Sequence, residues 1–143
     1  MKLTNTLEDL DNTYNYLYIN TRGTPKLLIF NEYKTVSTFG VQQFPIPRNL
    51  GAKLKTYIES SGLIDGNFLF GKTHTKPYVS FSSEVTKVFK KHTGKSITVN
   101  LLRHSYISSY LKKKHLSIAD KTEMGAKMAH SITTQARYNR VDL

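Results

Sequence analysis

The sequence has no cysteine and no long apolar segment. Without cysteine the chain can form neither disulfides nor thiolate metal sites. No apolar run approaches the roughly 20 residues needed to span a bilayer, and residues 1–5 lack the apolar core of a signal peptide. These absences predict an intracellular protein, in the cytoplasm, the nucleoid or a host nucleus, with no membrane partner.

Acidic residues are also scarce. The 143 residues include 10 Asp and Glu against 21 Lys and Arg, which gives a formal net charge of +11 and an isoelectric point near 9.8. This balance favours a polyanionic partner, because each contact with a phosphate releases condensed counterions. Nucleic-acid-binding, ribosomal and membrane-surface proteins share such a charge, so it indicates only a class of partner.

Alternating and apolar runs in the first third of the chain predict strands. They cover residues 14–19, 26–30 and 41–46, with a turn signal at residues 21–25 and a polar connection at residues 34–40. Prolines in the last run favour an edge strand. Together the runs predict a small three-stranded antiparallel sheet near the N-terminus.

Helical patterns follow the predicted sheet. Helices are expected at residues 47–59, from Ser80 or Ser82 to residue 91, from Thr98 to about residue 113, at residues 117–128 and at residues 132–139. In the second of these we expect Val85, Val88 and Phe89 to face inward and Lys87, Lys90 and Lys91 to face outward. No repeat or linker interrupts the chain. The sequence therefore predicts one α+β domain over residues 1–143, mainly helical.

The last third carries the most specific pattern. Residues 100–106 read Asn-Leu-Leu-Arg-His-Ser-Tyr, residues 128–131 read Met-Ala-His-Ser, and Thr-Thr-Gln at residues 133–135 precedes Tyr138. Taken singly, Arg103 would be a solvated arginine, and His130 and Tyr138 would be structural residues. Taken in order, the string resembles the catalytic core of the tyrosine recombinase (phage-type integrase) family, which reads Leu-Arg-His-(Ser/Thr), Gly-His-Ser, Thr-Thr and a tyrosine. The resemblance extends over nearly the whole chain.

This resemblance implies DNA strand cleavage and rejoining in site-specific recombination or integration. Tyr138 then corresponds to the nucleophile, whose phenolate attacks the scissile phosphate and leaves a 3′-phosphotyrosyl bond. Arg103 corresponds to the guanidinium that clamps the non-bridging oxygens, and His130 to a second donor on them. Lys34 corresponds to the general acid for the 5′-oxygen, with Lys26 as the competing lysine. The resemblance implies no metal and no cofactor, and the sequence has no His-x-x-x-His pair.

Two features depart from the family pattern. The family has His-x-x-Arg where this chain has Asn100 before Arg103, and an asparagine can hydrogen-bond a phosphate but cannot transfer a proton near neutral pH. The family's first arginine precedes the sheet; nothing before Asp11 supplies it, and Arg22 lies in a predicted turn. We therefore expect a catalytic fragment that lacks this arginine and the N-terminal core-binding domain and that cleaves DNA poorly alone. The family also implies a homo-oligomer assembled on DNA.

Further basic residues predict contacts with double-stranded DNA. The candidates are Arg137, Arg140, Lys87, Lys90, Lys91, Lys112 and Lys113. Arg137 and Arg140 flank Tyr138, where they are expected to steer the strand toward it. The commoner meaning of a lysine run is a solvated helix face.

Two other functions remain open from the sequence. A type IB topoisomerase-like enzyme would share the fold and the phosphotyrosyl chemistry, although the Thr-Thr-Gln and the short spacing from His130 to Tyr138 favour a recombinase. A non-catalytic DNA-binding module of the same fold would account for Asn100 and for the absent first arginine. The many lysines, asparagines and tyrosines are typical of an AT-rich genome, such as that of a mobile element or a virus.

Overall fold

The structure, a computed structural model, describes residues 1–112 and 116–128. The chain divides into two compact units, Met1–Tyr78 and Val79–Leu143. These described residues form an α+β architecture and are 42% helical, in broad agreement with the predicted class. That residues 1–143 form a single domain stays a prediction.

The first unit contains a four-stranded mixed sheet, so the predicted three-stranded antiparallel sheet is wrong. Its strands are β1 (Lys2–Thr4), β2 (Tyr16–Ile19), β3 (Pro25–Phe30) and β4 (Gln42–Pro45), in the order β1-β2-β3-β4. The three predicted strands correspond to β2, β3 and β4, which pair antiparallel. The added strand β1 pairs parallel with β2, with Leu3 opposite Leu17.

Hydrogen bonds on both sides explain why so short a segment becomes a strand. On one side the Lys2 N–H donates to the Asn15 carbonyl at 2.8 Å. On the other, the Leu3 N–H donates to the Asn67 carbonyl at 2.8 Å, and the Leu3 carbonyl accepts from the Gly66 N–H at 3.0 Å. Because both edges are satisfied, β1 lies inside the unit rather than at an open edge.

The remaining elements of the first unit are two helices and a small hairpin. Helix α1 (Val36–Phe39) is a single turn within the predicted polar connection, and α2 (Arg48–Ser60) corresponds to the helix predicted at residues 47–59. Strands β5 (Gly71–Thr73) and β6 (Lys76–Pro77) form a separate two-stranded antiparallel sheet. Neither α1 nor the β5–β6 hairpin was expected from the sequence.

The core of this unit lies between the sheet, α2 and the segment that follows α2. Its buried members are Leu3, Leu17, Ile58, Leu63 and Leu69, of which Leu3 and Leu17 are fully inaccessible. Partly buried side chains such as Leu28 and Leu54 pack against this cluster. Burial of such side chains is the main term that holds the sheet and α2 together.

The described part of the second unit is helical, as predicted. It contains α3 (Phe81–Thr93), α4 (Val99–Leu111) and α5 (Ile118–Lys127). The helix expected at residues 132–139 lies outside the described residues. Ile107 of α4 and Met124 of α5 are buried, whereas Val88 of α3 is 58% exposed, which corrects the expectation that it faces inward.

Each helix start has its own local cause. The Thr98 hydroxyl accepts a hydrogen bond from the Leu101 N–H at 3.1 Å and so caps α4 as predicted. Ser117 and Asp120 form a reciprocal capping box at the start of α5. Helix α3 begins after Ser80, but the Ser80 hydroxyl bonds the Ser83 hydroxyl at 2.8 Å and makes no cap bond to the backbone.

Candidate functional site

Helix α4 carries two of the predicted catalytic residues on one face. Asn100 and Arg103 are three residues apart in the first turns after the Thr98 cap, so their side chains are neighbours on the helix surface. Ile107 continues the same stripe one turn further and is fully buried. Asn100 is exposed and Arg103 is half-buried. The stripe therefore runs from an accessible amide, past a partly covered guanidinium, to the packed interior of the second unit.

The Arg103 side chain makes no hydrogen bond or ion pair with any other residue that the structure describes. A partly buried charge is costly unless it is paired, and arginines in such positions usually have an anionic partner. The planar guanidinium offers five N–H donors that match the oxygens of a phosphate in a bidentate arrangement.

The two candidate lysines lie in the first unit. Lys34 is exposed and stands in the turn between β3 and α1, and Lys26 is exposed on β3 itself. The Tyr33 hydroxyl donates to the Gly40 carbonyl at 2.6 Å, and the Gly40 N–H donates to the Val36 carbonyl at 2.7 Å. These bonds close the segment around α1 and give the backbone at Lys34 a defined conformation. Lys34 thus has an exposed side chain on this turn.

Five predicted site residues belong to the part of the chain that the structure does not describe. His130 and Tyr138 lie outside the described residues, as do Arg137, Arg140 and Lys113. Their roles stay predictions from the sequence. Asn100 and Arg103 are the predicted catalytic residues that the structure brings together on one element.

The lysines of α3 and α4 differ in what they contact. Lys87 is exposed but forms an ion pair with Glu84 at 2.7 Å, so this charge is partly neutralised on its own helix. Lys90 and Lys91 lie in the last turn of α3, where their charges also complement the helix dipole. Lys112 follows the last residue of α4 and is exposed. Of these four, Lys90 and Lys91 present adjacent exposed ammonium groups that no described carboxylate pairs.

Positive charge is concentrated in the second unit. Residues 79–143 contain 12 Lys and Arg against four Asp and Glu, a balance of +8. Residues 1–78 contain nine against six, a balance of +3. The segment that carries the Arg103 string is therefore the more strongly attractive to a polyanion.

One pocket in the second unit was not anticipated from the sequence. It has a volume of about 280 Å³ and is lined by Tyr106, Tyr110, Glu123, Met124, Lys127 and Met128. The rings of Tyr106 and Tyr110 stack with centroids 6.5 Å apart, and Lys127 pairs with Glu123. The hydrogen bond and charge of the Glu123 carboxylate raise the pKa of Lys127. The tyrosine spacing of four residues was visible in the sequence, but the approach of α5 to these rings was not.

The described residues offer no metal site. No group of three or more His, Asp or Glu side chains comes together in residues 1–112 and 116–128. The sequence contains an Asp-x-Asp pair, Asp9 and Asp11, but the Asp11 carboxylate accepts hydrogen bonds from the Thr13 N–H and hydroxyl at 2.9 and 2.7 Å. These bonds hold the pKa of Asp11 below its ordinary value. The Asp11 carboxylate therefore has a structural role in the loop before β2.

Comparison with protein-family models, with curated proteins and with solved structures found no match for this chain. None of the helices in the described part of the chain is long and apolar enough to cross a membrane.

Proposed function

We propose that this chain is a tyrosine recombinase-type catalytic domain that cleaves and rejoins strands of double-stranded DNA. The observation that carries the proposal is the half-buried Arg103 guanidinium on α4, one turn after Asn100 and without a described partner. This residue occupies the arginine position of a string that ends in His130 and Tyr138. A guanidinium that no carboxylate of residues 1–112 and 116–128 pairs is available to a phosphate.

The proposed reaction is a transesterification in which the number of phosphoester bonds is conserved. The phenolate of Tyr138 attacks the scissile phosphorus, forming a 3′-phosphotyrosyl bond as the bond to the 5′-oxygen breaks. Lys34 gives the departing 5′-oxygen its proton. Arg103, with His130 and the amide of Asn100, donates hydrogen bonds to the non-bridging oxygens, on which charge grows in the transition state. Attack of a 5′-hydroxyl on the phosphotyrosine reverses these steps and rejoins a strand.

The charge distribution supports DNA as the substrate. The +8 balance of residues 79–143 is contributed in part by Lys90 and Lys91, which are exposed on α3. Contacts between such ammonium groups and phosphates position a duplex without reading its sequence. Arg137 and Arg140 would add two charges beside the nucleophile. Assembly of several protomers on paired sites follows from the proposed recombination.

Asn100 specifically favours a second candidate function, a DNA-binding module that retains the fold but not the chemistry. An amide at this position can hold a phosphate oxygen but cannot transfer a proton. Binding would then be intact and cleavage absent. The two functions differ in whether a covalent bond forms.

A nicked duplex that traps the cleaved state separates the two functions. The full chain is incubated with a pool of nicked duplexes of varied central sequence, and a protein–DNA adduct that survives denaturation is sought. We expect the adduct with the wild type and not with Tyr138→Phe, which removes only the nucleophilic oxygen. Arg103→Lys retains the charge but loses the bidentate fork, so we expect it to form the adduct about 100-fold more slowly or worse.

Two outcomes would overturn the proposal. An adduct of equal yield with Tyr138→Phe would show that another residue is the nucleophile. Tight, salt-sensitive DNA binding by the wild type without any adduct would favour the binding module.

A further inference from the structure

The β5–β6 hairpin of the first unit is a second cationic feature, separate from α3 and α4. Its residues 71–77, here called the basic hairpin, read Gly-Lys-Thr-His-Thr-Lys-Pro, and every residue from 72 to 77 is exposed. We propose that the basic hairpin is a DNA-contacting arm that holds phosphates of the duplex through Lys72 and Lys76. This inference rests on the proposed function, since it takes DNA as the partner, and it adds a contact that the catalytic string does not supply.

The register of the hairpin gives Lys72 an unusual place. Gly71 is paired with Pro77 and Thr73 with Lys76, so Lys72 is the additional residue on β5 with none opposite it. Such a bulge bends the strand locally and re-aims the side chain of the extra residue. Lys72 is thus placed by a specific irregularity of the hairpin and does not belong to a regular ladder.

The backbone of the hairpin is held tightly. A Cβ atom on Gly71 would lie 2.5 Å from the Lys76 carbonyl oxygen and 2.6 Å from that of Thr73, so only glycine fits here. The Lys76 N–H donates to the Thr73 hydroxyl at 3.1 Å, and the His74 carbonyl accepts from the Phe68 N–H at 2.8 Å. Lys72 and Lys76 therefore project from a pre-organised loop, and less entropy is lost when they bind.

The sequence on either side of the hairpin is poor in acidic residues. No aspartate or glutamate occurs between Asp65 and Glu84. Neither Lys72 nor Lys76 forms an ion pair within the described residues, whereas Lys55 pairs with Glu59 at 3.8 Å on the same unit. The two ammonium groups of the hairpin are thus fully available to an external anion.

A nucleic acid fits this surface better than the other common polyanion, an anionic membrane. Membrane-surface elements combine lysines with apolar side chains that enter the headgroup region. Residues 71–77 contain no Leu, Ile, Val, Met, Phe, Tyr or Trp, and the loop between the two lysines is Thr-His-Thr. Two lysines on a narrow, rigid loop instead fit phosphates along a duplex. Contacts of this kind position the duplex without sequence preference.

The salt dependence of duplex binding tests the proposal. Anisotropy of a labelled duplex is measured over a range of salt with the wild type, with Lys72→Gln/Lys76→Gln, and with Lys72→Arg/Lys76→Arg. The matched control, Arg48→Gln/Lys53→Gln, removes two exposed charges from α2 of the same unit. All four proteins are first compared by circular dichroism and thermal melting, where we expect no difference.

The expected effect follows from counterion release. Each lost phosphate contact lowers the slope of log K against log salt by about 0.9, so the double glutamine variant should lose about 1.8. Between 50 and 200 mM salt, its affinity should therefore fall about 12-fold less than that of the wild type. The arginine variant should retain the wild-type slope. The control should change the slope by less than about 0.9, which is the value for one phosphate contact.

A slope for the hairpin variant equal to that of the wild type would overturn the inference. So would an equal loss in the Arg48 and Lys53 control, because the effect would then be one of net charge. Binding of the wild type to anionic vesicles but not to duplex DNA would assign the hairpin to membranes instead. Failure of the proposed function is distinguishable: no covalent adduct would form, while the difference in salt slope between the variants would persist.

Discussion

Replacing Leu3 by alanine is expected to destabilise the first unit by about 3 kcal/mol. Leu3 is fully buried, and it packs in one cluster with Leu17, Ile58, Leu63 and Leu69. Leucine-to-alanine changes in cores cost about 2–5 kcal/mol, which combines the lost transfer free energy with the cavity that remains.

Collapse around the missing side chain is restricted at this position. The Leu3 N–H and carbonyl are bonded to Asn67 and Gly66 at 2.8 and 3.0 Å, while β2 pairs with the other edge of β1. The backbone therefore cannot move inward to fill the space without breaking these bonds. A value near the middle of the range, rather than at its lower end, follows from this restraint.

The assay is urea unfolding followed by circular dichroism, with Leu7→Ala as the control. Leu7 lies in the loop after β1 and is 53% exposed, so its truncation should change the free energy of unfolding by less than about 0.5 kcal/mol. Slow hydrogen exchange of the Leu3 amide would independently support its bond to Asn67. If Leu3→Ala were as mild as Leu7→Ala, the parallel strand β1 and the four-stranded sheet would be refuted.

Two further predictions concern the helices of the second unit. Asn100→His should speed adduct formation about 10-fold or more, because it supplies a proton-transferring group beside Arg103. Single-turnover cleavage measures the rate of adduct formation. No gain in this rate over wild type would refute a catalytic role for position 100. The Ser117 hydroxyl donates to the Asp120 carboxylate at 2.7 Å, and the Ser117 N–H donates to it as well. These hydrogen bonds hold the pKa of Asp120 below its ordinary value of 3.8. This carboxylate therefore stabilises α5 above about pH 4, and its contribution is lost as pH falls through its lowered pKa. Urea midpoints from about pH 5 down to about pH 2 should accordingly fall further for the wild type than for Asp120→Asn; parallel curves would contradict the capping box.

Strong local signals made most of the fold predictable. Apolar alternation located β2, helical periodicity with Thr98 as a cap located α4, and helical periodicity located α5. β1 was missed because its three residues are too few to show a period, and its pairing depends on Asn15 and on the distant residue Asn67. Contacts between segments far apart in sequence leave no such periodicity.

The candidate site was also predictable only in part. The spacing of Asn100 and Arg103 predicted a shared helix face, which α4 confirms. The partial burial of Arg103 and the pairing of Lys87 with Glu84 depend on side-chain packing, so the sequence did not reveal them. The basic hairpin was also missed, since a bulge at Lys72 involves a single residue and leaves no repeated pattern.

The polarity of the covalent adduct tests the central claim most directly. Nicked duplexes labelled at either the 5′ or the 3′ end of the cleaved strand are incubated with the wild-type chain, denatured and separated. The proposed chemistry predicts that the 5′-labelled fragment alone migrates with the protein, and that digestion leaves a nucleotide on Tyr138. Protein linked to the 3′-labelled fragment, a nucleotide on another residue, or no adduct at all would contradict a 3′-phosphotyrosyl mechanism.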